Sequence, residues 1–209
     1  MKTFYTKEKI LTIKADMIKA AEKLYKQHGY EYVNLLNISK LTHLSRPAIY
    51  NYYHSKEEIF LDILLREYNS FGARLKKKLT IEKLTKDELA DELADIILKH
   101  VYLLEFISSY ENNIEENSTI EHLKEYRTEW DAGFYTDFMS AISFQFPEAT
   151  QKEKDEFLDL FIASLYGIYP IICPSEERVA AMKERGRYRE VDARAFISKT
   201  MKLLLTNID

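Results

Sequence analysis

One cysteine, Cys173, in 209 residues leaves no partner for an intramolecular disulfide. That usage fits a reducing compartment, and the residue reads as a small packed apolar group rather than a reactive thiol. Five glycines and four prolines are few for this length, and no Asn-Gly or Asp-Gly pair marks a β-hairpin. No run of about 18 apolar residues occurs, so no membrane-spanning helix is expected. The opening MKTFYTKEKILTIK is broken by charge too often for a signal peptide. The sequence lacks GxSxG, HExxH and any phosphate-binding glycine loop. Its five histidines (His28, His43, His54, His100, His122) are scattered, with no pair at metal-ligand spacing. A cytoplasmic, all-α protein without enzymatic activity, cofactor or metal is expected.

Charge is present in both signs but unevenly placed. Residues 1–56 carry ten Lys and Arg against four acids, a net of +6. The formal charge of the whole chain is −4, so residues 57–209 carry −10. A basic head on an acidic body implies a polyanionic partner for the head alone. We therefore expect a basic head, residues 1–56, that meets the polyanion, and an acidic body, residues 57–209; the only plausible domain boundary lies within or after the fourth helix.

Caps and breakers divide the chain into helices. Ile10, Ile13, Met17, Ala21 and Leu24 recur at helical spacing from about Thr6 to His28, with Gly29 at the C-cap. Asn34 is suited to cap a short second helix with Leu35, Ile38 and Leu41 inward, and Ser45 a third that ends near Tyr53. Ser55 and Glu58 form a capping box that opens a fourth, ending near Lys76–Lys78, a solvated basic run. Further helices are expected from Thr85/Glu88 to about Tyr110, and from Ser118/Glu121 to about Phe146. Others follow from Thr150/Glu153 to about Tyr169 before Pro170, from Pro174–Ser175 to Gly186, and from Asp192 to Thr206.

The two short helices, 35–42 and 46–53, form a helix-turn-helix, whose second helix enters the major groove. They are too short to be stable alone. Ile18, Ala21, Ile38, Leu44, Ile49 and Tyr53 supply the small core they need. Arg46, Pro47, Ala48, Tyr50, Asn51 and Tyr52 remain outward; Arg and Asn read guanine and adenine edges, and tyrosine hydroxyls hold phosphates.

The pattern Ile18, Ala21, Leu24, Gly29, Val33-Asn34, Ile38-Ser39, Leu44-Ser45-Arg46, Ile49-Tyr50, Tyr52-Tyr53 and Ser55-Lys56-Glu57-Glu58-Ile59 resembles the signature of the TetR family of repressors. The spacing runs without a gap over about 45 residues. The remaining three quarters match the family in size and helical character, with echoes at Tyr166-Gly167-Ile168-Tyr169-Pro170 and Pro174. The resemblance implies that Ser45, Arg46, Pro47, Ala48 and Asn51 face bases or nearby backbone. It places Tyr50 at a phosphate-contacting tyrosine, and Asn34 and Lys56 at phosphate-anchoring positions. Three positions depart from the pattern: His43 stands at the turn glycine, Ser39 at a small residue, and Pro47, with no amide to offer a phosphate, where glycine is frequent.

In the body, Phe157, Leu160, Phe161, Ser164, Leu165 and Ile168, and later Phe196, Ile197, Met201, Leu204 and Leu205, make wide apolar faces. Their excess over the subunit's own core suits a four-helix interface between two copies, as the resemblance implies. A homodimer also reads two half-sites of a near-palindromic double-stranded operator. Aromatics are dense in the middle helices. Most of them read as core, and the sharper expectation is a cavity lined by Tyr102, Phe106, Tyr110, Trp130, Phe134, Tyr166 and Tyr169 for a small apolar or aromatic effector. The competing expectation is a DNA-bound scaffold whose body binds a protein; a solid body with an exposed apolar patch favours it.

Overall fold

The computed structural model describes residues 6–42 and 44–208, the Lys7 side chain excepted. His43, at the turn glycine of the resemblance, lies outside the described residues. The helices are α1 (Lys7–His28), α2 (Leu35–Leu41), α3 (Arg46–Ile49), α4 (Lys56–Leu79), α5 (Lys86–Leu98) and α6 (Val101–Ser109). They continue as α7 (Glu111–Glu116), α8 (Ile120–Trp130), α9 (Thr136–Gln145), α10 (Gln151–Ile172), α11 (Glu176–Glu184) and α12 (Ala193–Leu204). No strand occurs among the described residues, and no single helix there is long and apolar enough to cross a membrane. The chain divides into two compact units. One runs to Arg66 and includes Asn112–Thr128; the other holds Glu67–Glu111 and the chain from Glu129 onward.

Thr85/Glu88 and Thr150/Glu153 form full capping boxes at α5 and α10. Ser55 covers the Glu58 amide, but the Glu58 carboxylate reaches back to the amide of His54. At α8 the cap moves by one residue: Thr119 Oγ1 accepts from His122 N, while Ser118 donates to the Ile114 carbonyl of α7. Leu41 is 44% exposed rather than inward. The helix expected from Thr85 to Tyr110 breaks at Lys99–His100, where i→i−3 bonds turn the chain and bury His100 against Phe71. No glycine or proline marks that break.

Pro170 does not end its helix, which runs on to Ile172. A proline inside a helix costs about 3 kcal/mol. Burial of Leu165 and Ile168 in the preceding turns offsets it, and Arg178 satisfies the Pro170 carbonyl at 2.9 Å. Cys173 sits exposed at the end of α10, not packed as expected, because the helix stops there and leaves it on the surface.

The segment expected to be one helix from Ser118 to Phe146 contains a π turn at Asp131–Tyr135. Its cause is local: Asn69 of α4 accepts from Phe134 N at 3.0 Å, drawing the backbone out of the α pattern. Gly133 allows this approach, since a Cβ there would stand 2.1 Å from Asn69 Oδ1. Gly72 of α4 admits the Phe134 backbone in the same way.

Around that turn, this unit's core is a run of phenylalanines. Phe71 stacks on Phe134 and Phe161 at 6.0 and 6.1 Å, and Phe138 joins Phe134, Phe157 and Phe161 at 5.8, 6.1 and 5.2 Å. All five are essentially without solvent exposure. Offset ring pairs add to the burial energy of each side chain. Replacing Phe161 by Ala should lower unfolding free energy by about 3–5 kcal/mol, as measured by urea denaturation.

Candidate nucleic-acid interface

The head unit is assembled from short pieces held by caps. Asn34 accepts from Asn37 N at 2.8 Å to start α2, and Ser45 accepts from Ala48 N at 3.4 Å to start α3. Proline in the first turn of α3 removes no intrahelical bond. The expected helix to Tyr53 is regular only to Ile49. Beyond it Asn51 N and Tyr52 N bond three residues back, at 3.3 and 2.8 Å, so the last turn is tighter than an α-helix. Ile49 and Tyr53 anchor this stretch with zero exposure, alongside Ala21 and Ile38. Ile18 and Leu44 are only half-buried at the edge of that core.

What faces outward is polar. Ser45, Arg46, Pro47, Asn51 and Tyr50 are exposed, Tyr50 by 43%, and Ala48 and Tyr52 are half-buried. Arg46 donates to the Tyr50 hydroxyl at 3.3 Å, one turn along. Asn34, Arg46, Tyr50 and Lys56 line one concavity of about 440 Å³, together with Leu35, Leu36, Ser55 and Glu57. Ser45, Pro47, Ala48 and Asn51 do not line it. Lys56 is held in place: its ammonium donates to the Tyr30 carbonyl at 3.1 Å and lies 4.0 Å from the Tyr30 ring centre. The Tyr30 hydroxyl in turn lies 3.4 Å from a Glu57 carboxylate oxygen and 3.3 Å from the Asn113 side-chain oxygen. Leu36, not singled out by the sequence pattern, is 49% exposed on α2. Its departure from the inward spacing of Leu35 and Ile38 was the available signal.

Behind this face, α4 carries two carboxylates one turn apart. Glu58 has no exposure. Burial pushes its pKa up, but hydrogen bonds from the Thr119 hydroxyl (2.5 Å), His54 N (2.6 Å) and Thr119 N (3.2 Å), with the charge of His122, bring it below its ordinary 4.5. Asp62 receives Tyr53, His122 and Lys14. In sequence Glu58 reads only as a capping-box residue and Asp62 as helix surface, because Thr119 and His122 lie 61 and 60 residues away.

In the other unit the seven aromatics of the expected effector site fall into separate groups. Phe134 is fully buried in the phenylalanine core, and half-buried Trp130 packs on it at 5.1 Å. Tyr102, Phe106 and Tyr110 contact one another along α6, at 4.8 and 5.7 Å. Tyr166 bonds the buried Glu111, which Tyr68 also meets at 3.5 Å. Tyr169 sits near Glu105 and Tyr110, and its phenol is pushed up to about 12, first by burial and then by Glu105. Among the described residues no group of His, Cys, Asp or Glu could hold a metal ion.

Two family models match the chain. Bacterial regulatory proteins of the tetR family match over residues 17–63, and the tetracyclin repressor-like C-terminal domain over residues 65–198. No curated protein matches the sequence. Among solved structures, the fatty acid degradation regulator FadR of Bacillus halodurans is similar, with 15% identity and a TM-score of 0.51, over 92% of this chain and 94% of that one. A protein described as a TetR-family transcriptional regulator of Mesorhizobium loti has 12% identity and a TM-score of 0.50, over 97% and 98% of the two chains. At such identities the likeness is one of fold.

Glu58→Gln places an amide donor against groups that are themselves donors. It should cost about 1–3 kcal/mol at pH 7 by urea denaturation. A lowered folded pKa stabilises above the ordinary 4.5 and is lost as pH falls through the folded value, so the difference from wild type should shrink as pH falls below 4.5.

Proposed function

Because the chain belongs to the tetR family of bacterial regulatory proteins and is a DNA-binding transcriptional regulator, we propose that it acts as a homodimeric repressor. Its two heads read a near-palindromic duplex, and a small apolar or aromatic effector bound in the body releases them. The observation that carries the DNA reading is the exposed Arg46–Tyr50–Asn51 surface on a wholly buried Ile49–Tyr53 anchor. Arg46 is suited to the paired acceptors of guanine and Asn51 to adenine. Ser45, Pro47 and Ala48 bring the α3 backbone against the groove floor, and the Tyr50 hydroxyl takes a phosphate. Asn34 and Lys56 flank them on the rim and take phosphates to either side. The Arg46–Tyr50 bond is exposed and exchanges for DNA at little cost.

Dimerisation is supported by apolar stripes left uncovered among the described residues. On α10, Leu160, Ala163, Gly167 and Ile171 are exposed along one face, Leu160 by 45% and Ile171 by 36%. A Cβ at Gly167 would meet nothing, so the helix is bare there. On α12, which packs against α10, Leu203 is 63% exposed. Two such helices from each copy make a four-helix contact. The effector half rests on the aromatic side chains of α6, α8 and α10 and the turns beside them. It also rests on the buried His100 Nε2 and Trp130 Nε1, which carry no hydrogen bond among the described residues and are available to a ligand.

Selection of bound duplexes from a random pool should return a near-palindrome. Arg46→Ala should weaken binding to that duplex about 10- to 100-fold and relax base preference at one position of each half-site. Sequence-blind retention by the wild type would contradict the reading. The double variant Leu160→Glu/Leu203→Glu should sediment as a monomer at concentrations where the wild type is a dimer.

A further inference from the structure

Asp62 of α4 uses both carboxylate oxygens. Oδ1 lies 2.8 Å from Nε2 of His122 on α8. Oδ2 accepts from the Tyr53 hydroxyl at 2.5 Å and lies 3.4 Å from the Lys14 ammonium of α1. The partners also meet each other: Lys14 sits 4.8 Å from the Tyr53 ring centre, and the Tyr53 and His122 rings are 5.9 Å apart. One carboxylate thus gathers α1, the turn that closes α3, and α8. Tyr53 has no exposure and follows Tyr50 and Asn51 by three and two residues. In a close-packed core its ring cannot shift without moving the backbone that carries them.

We propose that Asp62 is a positioning residue for DNA recognition and that His122 sets its hold, so that duplex binding weakens when His122 loses its proton. The inference rests on the reading of the α3 face as the DNA-binding surface. The groups facing His122 are Asp62 and Glu58 from α4, Lys14 from α1 and Tyr53 from the turn after α3. Burial disfavours its charged form, but the hydrogen bond and charge of Asp62, with the charge of Glu58, outweigh burial and Lys14 and hold it above 6.5. Burial likewise pushes Asp62 up, and the bonds from His122 and Tyr53 and the Lys14 charge bring it below 3.8. The charged pair therefore contributes fully from above about pH 4 to 6.5 and is lost as pH rises through the folded value of His122.

A glutamine separates the two roles of the imidazole. Its amide reaches about as far as Nε2 and donates to Asp62 at every pH, but it does not titrate. Binding of a duplex retained from the random pool is followed by fluorescence anisotropy between pH 6 and 8.5 at fixed ionic strength. Wild-type affinity should fall with rising pH by about fivefold more than that of His122→Gln. His122→Leu, which leaves Asp62 short of a donor, should bind more weakly than wild type at pH 6. The other histidines contribute equally to wild type and variant. Melting without DNA identifies any variant that has lost its fold. For a His122→Leu chain that has, the wild-type and His122→Gln profiles decide alone. Parallel profiles for wild type and His122→Gln overturn the inference and leave the DNA reading standing. Failure of the wild type to retain any duplex overturns both.

Discussion

Two carboxylates on α4, Glu58 and Asp62, organise the head. A carboxylate taken out of water is costly unless hydrogen bonds and charge replace its hydration. Glu58 has the amides of His54 and Thr119 and the Thr119 hydroxyl; Asp62 has Tyr53, His122 and Lys14. The partners come from three stretches of chain: Lys14 of α1, Tyr53 and His54 after α3, and Thr119 and His122 at the start of α8. The requirement to satisfy these oxygens therefore fixes where those stretches lie. The α2–α3 pair, too short to be stable alone, inherits its geometry from Tyr53 and the caps at Asn34 and Ser45. A rigid scaffold with its polar residues turned outward is what groove recognition needs, because base contacts demand placement to within a fraction of an ångström.

The other unit follows a different principle. Its core is apolar and set by shape: five phenylalanines pack around a π turn that exists because Asn69 takes the Phe134 amide and Gly72 and Gly133 let the backbones close up. Polar groups lie at the margins of that core, where Glu111 meets Tyr68 and Tyr166 and where a ring nitrogen of His100 and one of Trp130 carry no hydrogen bond among the described residues. A site for a small molecule would need this combination of aromatic walls and a few oriented polar atoms.

The helices were legible in sequence wherever a cap, a glycine or an apolar period announced them. Gly29, Asn34, Ser45, Thr85, Thr150 and Asp192 fall at helix ends. What escaped notice depends on tertiary partners. The break at His100 follows from packing on Phe71, the π turn from Asn69, and the passage of α10 through Pro170 from burial on either side of it. The same limit applied to the head. Arg46, Tyr50 and Asn51 could be placed outward from the spacing of Ile49 and Tyr53. The roles of Glu58 and Asp62 depend on Thr119 and His122, and no local pattern joins them. Leu36 and Leu41, exposed on α2, show that a seven-residue helix is too short for an apolar period to assign every face.

We propose that duplex DNA sits on the α3 face, with Asn34 and Lys56 at its rim. Amide chemical-shift mapping of the full chain on addition of a selected duplex tests it most directly. The largest changes should cluster at Asn34, Ser45 through Asn51, and Lys56. Unchanged signals at those residues, with changes gathered on another surface, would contradict it.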